Sequence, residues 1–180
     1  MHAYQITTQN NGWLKYSLTT PLALKLFCEL NHNQTVSLSS RTEVSMTALW
    51  RKKIGKIEGE YCEKVGCPAK NQYVLRAIVL LSRYFADCAR LEYSTLLDSL
   101  IAELKISTEY AERLTGYLES YGILNCYCEH GTGLLPDTYF YYPGIQGYFD
   151  YASALHIISQ NKHPRDIEFN HYKAIKANTL

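Results

Sequence analysis

Cys126, Cys128 and His130 are spaced two apart in the run Cys126-Tyr127-Cys128-Glu129-His130. On an extended strand, positions i, i+2 and i+4 share one face, so two thiolates and an imidazole there could converge on zinc. Cys62 and Cys67, with four residues between them, could add a fourth ligand. Structural zinc sites usually show two tight ligand pairs, and only one tight pair stands here. The spacing therefore predicts Cys126 and Cys128 facing the core, His130 in a turn, no metal ligands, and no stoichiometric zinc in the purified protein. Other chemistry is missing at the level of motif. Gly55-Lys56-Ile57-Glu58-Gly59 lacks both the spacing and the closing Lys-Ser/Thr of a phosphate-cradling Walker A loop. No G-x-S-x-G elbow, H-E-x-x-H pair or paired-carboxylate signature is present. Nothing assembles a nucleophile, a base and an oxyanion donor, so no catalytic residue is assigned and the chain is not expected to be an enzyme.

These residues need elements to position them, and the chain punctuates its helices clearly. Thr20 and Pro21 form an N-cap and an N1 proline ahead of Leu22, Leu24, Leu26 and Phe27, predicting a helix to about Leu30. A second helix follows a Ser45 cap and runs from about Thr47 to Glu63, with Gly55 and Gly59 weakening its middle by about 1 kcal/mol each. Val74, Ile78, Leu81, Phe85 and Cys88 make one apolar stripe at helical spacing within Asn71 to Ala89. Leu91 to Tyr93 reads as a short extended piece before a Ser94 cap and a helix bearing Leu96, Leu97, Leu100, Ile101 and Leu104. Ser107 caps the next helix, whose buried face is Ala111, Leu114 and Leu118, and Gly122 ends it in a left-handed conformation. Two strands, 123–129 and 138–142, flank a turn at His130 to Gly133, and Pro143 opens a last helix with Ile145, Phe149, Ala152 and Leu155 on one face. Helix, helix, hairpin, helix is the order of a winged helix-turn-helix with a two-stranded β wing. The fold class is thus mostly α: a helical segment at 13–90, a winged-helix domain at 91–158, and a C-terminal tail at 159–180 in which Ile167, Phe169, Tyr172 and Ile175 are the few core candidates.

Composition narrows the partners. Eighteen Lys and Arg against 17 Asp and Glu leave a formal charge of +1, which disfavours a strongly basic nucleic-acid binder or a polybasic membrane anchor. No apolar run approaches the roughly 20 residues that cross a bilayer, and the polar start from Met1 to Asn11 lacks a signal-peptide pattern, so the expectation is a cytoplasmic protein with reduced cysteines and no membrane partner. The helix over Thr108–Ser120 would be the one to enter a DNA groove, but it carries Glu109, Glu112 and Glu119 against a single Arg113. That charge repels phosphates, making DNA an unlikely partner on electrostatic grounds. Sixteen tyrosines, five of them between positions 139 and 151, suit a wing surface that contacts another protein.

Two segments resemble one family. The run from Trp13 to Glu29, centred on Thr19-Thr20-Pro21-Leu22, is similar to the stretch that follows the nucleotide-binding core in NACHT and related STAND-class signalling NTPases. Phe140-Tyr141-Tyr142-Pro143-Gly144, leading into Tyr148-Phe149-Asp150-Tyr151, is similar to that family's winged-helix motif, with Tyr142 where the family has a histidine. The resemblance spans about 13–158 and implies a helical lid followed by a winged helix. It further implies that Pro21 packs by an adenine and that Tyr142 stands at the position which senses the nucleotide's phosphate. It implies a P-loop NTPase core, in cis or in trans, which would bind the ATP or ADP, since these 180 residues contain neither Walker motif. The chain alone is then expected to bind no cofactor and to serve as a regulatory part of a switch of the prokaryotic defence type. The alternative expectation is a stand-alone winged-helix regulator of DNA or of a protein partner.

Overall fold

The computed structural model describes residues 6–8, 14–37, 41–133 and 135–160. Trp13, Leu134 and the tail from 161 onward, with its four core candidates, lie outside the described residues. Two compact units divide after Asn71. The sequence pattern predicts a boundary between 90 and 91, whereas the helix over 73–87 packs inside the second unit.

In the first unit a short helix α1, Leu14–Ser17, precedes α2, Pro21–Leu30, and α3, Met46–Val65. Strands β1, Thr7–Thr8, and β2, Thr35–Val36, pair in parallel. Thr20 Oγ1 accepts the Ala23 amide at 3.1 Å and Ser45 Oγ the Ala48 amide at 3.2 Å, so both helices start where their caps predict. Ala23, Leu26, Phe27 and Cys28 form the buried stripe of α2, which packs on α3 with its own stripe of Leu49, Trp50, Ile54, Ile57 and Tyr61. Lys53 Nζ donates to Glu29 Oε2 at 2.8 Å and ties the two helices across their rim. Gly55 and Gly59 sit within α3 with open space around them, and burial of the stripe outweighs their helix penalty. At the C-terminus Gly66 turns left-handed (φ 72°), and the Gly66 and Cys67 amides both donate to the Cys62 carbonyl.

In the second unit the order is α4, Tyr73–Asp87; β3, Leu91–Glu92; α5, Tyr93–Leu104; α6, Thr108–Ser120; β4, Leu124–Glu129; β5, Thr138–Pro143; α7, Gln146–Gln160. Val74, Ile78 and Leu81 of the expected stripe are fully buried. Phe85 meets Phe149 of α7 edge-on, ring centroids 5.3 Å apart, while Cys88 lies just past the helix end. Leu96, Leu100, Ala111, Leu114 and Leu118 close the core between α5 and α6. The end of α6 is a Schellman turn: Gly122 (φ 65°) donates to Glu119, and Ile123 donates to Leu118.

Three local expectations are corrected. The sheet has three antiparallel strands in the order β3-β5-β4, and not two, because Leu91 pairs with Tyr141 and Glu92 with Phe140. Ser94 is not the cap of α5: the helix already begins at Tyr93, and Ser94 Oγ donates to Glu92 at 2.9 Å. Pro143 does not open α7; it ends β5 opposite Leu124, beyond the reach of β3, where a residue without an amide hydrogen is tolerated. Six helices of ten residues or more and one small antiparallel sheet make the described chain mostly helical.

Candidate functional site

Sheet register decides what each residue of the β4–β5 hairpin, the expected wing, faces. Cys126 opposes Tyr141 and Cys128 opposes Tyr139 on one face; Asn125, Tyr127 and Glu129 oppose Tyr142, Phe140 and Thr138 on the other. The first face turns inward at its base. Tyr141 is buried there, its hydroxyl donating to Glu119 of α6 at 3.4 Å and its ring 5.7 Å from that of Tyr93. Burial, reinforced by Cys126 and Glu119, pushes the Tyr141 phenol well above its ordinary range. Tyr93 is likewise raised, by burial and then by Glu112.

The opposite face is open and aromatic. Tyr127 is 50% exposed and Tyr142 38%. The Arg90 guanidinium lies 4.1 Å above the Phe140 ring and pairs with Glu129 at 2.6 Å, so the only cation on this face among the described residues is stacked and neutralised. On α6, Arg113 is already paired with Glu109 at 2.6 Å, one turn away.

Pro21 and Tyr142, which the resemblance would place by a nucleotide, fall in different units. Tyr142 stands on β5 in the second, held next to a close backbone approach at the base of the hairpin. There the Gly144 amide donates to the Ile123 carbonyl at 2.9 Å, and a Cβ on Gly144 would collide with the Gly122 carbonyl. Pro21 sits exposed at the N1 position of α2 in the first unit. An open pocket of about 210 Å³ in that unit is lined by Phe27, Asn31, Val36, Glu43, Leu49 and Lys52, at the other end of α2 from Pro21.

The wing tip holds a cluster that spacing alone does not reveal. Asp137 comes back beside His130, its Oδ1 accepting the Gly131 amide at 3.0 Å and its Oδ2 lying 3.3 Å from His130 Nδ1. Cys128 Sγ is 3.8 Å from the same nitrogen. The Gly131 amide and then His130 hold the Asp137 carboxyl below its ordinary value, while desolvation and then Asp137 raise the Cys128 thiol. Cys126, which strand spacing would place on one face with Cys128 and His130, is not in this group and interacts with Tyr141 instead. Asp137 is signalled only by type: an aspartate beside a proline, after a Gly-Thr-Gly turn, is a common acceptor for a loop amide. All six cysteines are free thiols. Cys62 and Cys67 nevertheless lie 3.2 Å apart, sulfur to sulfur, and Cys62 is pushed up to about 12 by burial and by its neighbour.

No family model matches the chain. Nor does any curated protein or solved structure.

Proposed function

We propose that the chain is the regulatory lid and winged-helix portion of a STAND-type signalling NTPase, working through contacts and not as an enzyme by itself. The observation that carries the proposal is topological. Helix, short strand, helix, helix and hairpin over α4 to β5, with β3 joined to β5 and β5 to β4, is an order that supports reading this unit as a winged helix-turn-helix. Ahead of it, α2 starts at a capped, exposed Pro21 followed by the exposed Leu22 and Leu24, an apolar lip suited to a flat ligand edge. In this role Pro21 lies against the adenine of ATP or ADP bound by a P-loop core, and the Tyr142 hydroxyl takes the place of the phosphate-sensing histidine. Differential contact with the two nucleotides would bias a closed against an open arrangement, which is how a switch of the defence type signals in the cytoplasm. The direct test is the reading frame upstream of the Met1 codon and the neighbouring genes. A Walker A and an acidic Walker B strand are expected there. In the resulting NTPase, Tyr142→Ala should shift the ratio of ADP to ATP affinity; unchanged affinities and unchanged signalling would sink the proposal.

A stand-alone regulator is the second reading, and the aromatic outer face of the wing favours a protein partner over DNA. Tyr127, Phe140 and Tyr142 offer rigid contact area, whereas α6 presents Glu109, Glu112 and Glu119 with Arg113 already paired. Anisotropy with a labelled duplex at low salt should show no saturable binding; sub-micromolar affinity would revive the DNA-binding role.

A further inference from the structure

The wing tip brings together three different metal-ligating groups on a short, backbone-fixed loop. Cys128 Sγ, His130 Nδ1 and an Asp137 carboxylate oxygen all lie within 4.8 Å of one another. A tetrahedral zinc ion, with bonds of about 2.3 Å to sulfur and about 2.0–2.1 Å to nitrogen and oxygen, spans about 3.6 Å from sulfur to nitrogen and about 3.3 Å from nitrogen to oxygen. The corresponding separations are 3.8 Å and 3.3 Å. Two of the three edges thus stand close to those of a coordination tetrahedron before any ion arrives, and the sulfur and the carboxylate oxygen lie within 4.8 Å of each other. The support behind them is equally specific. The Gly131 amide holds Asp137 Oδ1 at 3.0 Å, fixing the carboxylate and leaving Oδ2 toward the histidine. Gly131 admits no side chain, since a Cβ would strike the Leu135 carbonyl, so the loop is built around this closure.

We propose that Cys128, His130 and Asp137 form a three-ligand site for a zinc-class divalent cation at the tip of the wing. The ion would be bound by Sγ, Nδ1 and Oδ2, with its fourth position open to water. It would staple the end of β4 to the start of β5. Three ligands of mixed type, with His130 82% and Asp137 46% exposed, make a site that exchanges its ion with solvent. Dialysed protein should therefore emerge empty, in keeping with the expectation of no stoichiometric zinc after purification. Binding requires Cys128 to lose its proton, which the cation displaces to solvent.

The test is titration of the reduced, chelator-stripped full chain with zinc by calorimetry, and with cobalt by absorbance. One equivalent of each should bind, and the cobalt complex should show a thiolate charge-transfer band. Cys128→Ser should abolish that band, and His130→Ala and Asp137→Asn should each weaken binding by about a hundredfold, the upper end of what even outer-shell loss produces. Cys126→Ser should leave both signals unchanged, because its sulfur is engaged with Tyr141. Circular dichroism of each variant confirms that the fold survives. Absence of saturable binding overturns the proposal. So does affinity unchanged in Asp137→Asn, or binding lost in Cys126→Ser, which would mark a thiol-pair site of a different kind.

Discussion

Gly144 is a position with no room for an added carbon. Its Cβ would press into the Gly122 carbonyl, a backbone group that cannot rotate away, and its amide donates a hydrogen bond to the Ile123 carbonyl that closes the base of the hairpin. Gly122→Ala faces open space and meets only the left-handed penalty of about 1–2 kcal/mol. Gly144→Ala should therefore cost more than Gly122→Ala in urea denaturation, and equal costs would show that the close approach is not kept in solution. Asp137 supplies a prediction in pH. Its folded pKa is lowered, so the contact with the Gly131 amide is intact above the ordinary carboxylate value of about 3.9 and is lost as pH falls through the lower folded value. The Gly131 amide proton shift, followed by NMR, should hold steady down to about pH 4 and move only below it. Residue-scale features are legible where partner and signal are three positions apart, as for Thr20, Ser45 and Ser107, each of which caps its helix. Ser94 misleads because it too has the type of a cap, yet β3 hands directly to α5 one residue earlier. Asp137 is illegible because its partner lies six residues back across a loop.

Among the elements, α4 and α6 are legible from periodicity alone, and Val74, Ile78, Leu81, Ala111, Leu114 and Leu118 of their stripes are fully buried. Leu118 of α6 is fully buried, and Leu118→Ala should cost about 2–5 kcal/mol of unfolding free energy. Glu112→Gln on the exposed side of the same helix should stay within about 0.5 kcal/mol. A small cost at Leu118 would argue against this packing of α6. Strand β3 could not be read as part of the sheet: it is two residues long, and its partners Tyr141 and Phe140 are some fifty positions away. Register between such distant segments is set by tertiary packing and leaves no local pattern. Pairing with Leu124 of β4, likewise set by tertiary packing, is why Pro143 ends a strand instead of starting a helix. In the first unit, α2 and α3 are joined by the part-buried pair of Lys53 and Glu29, and Glu29→Gln should lower stability by about 1 kcal/mol.

At the scale of the whole molecule, the two compact units each carry a core of their own. The second unit gathers Val74, Ile78, Leu81, Leu96, Leu100, Leu114, Leu118, Leu124 and Phe149 around α4 to α7. Residues 72–160 expressed alone should therefore be helical and unfold in one cooperative transition, since a core of this kind is what makes a domain autonomous. A molten, non-cooperative fragment would show that the first unit is needed to complete it. The helical character of the chain is plain from its stripes, but the grouping of α4 with α5, α6 and α7 is not. The proline break at Cys67-Pro68 and the change of pattern at Leu91 offer two boundaries, and contacts of α4 with α5, α6 and above all α7, invisible to local spacing, choose between them. The pinned base of the hairpin has a mechanical consequence. With the exit of β5 fastened to the end of α6, the six-residue strands project about 20 Å to the tip as a lever on a fixed fulcrum. One degree of rotation at that fulcrum displaces the tip by about 0.3 Å over such a length. Torque applied where Cys128, His130 and Asp137 meet is thus delivered to Tyr142 and the foot of α6, and the wing reports at its root what is done to its end.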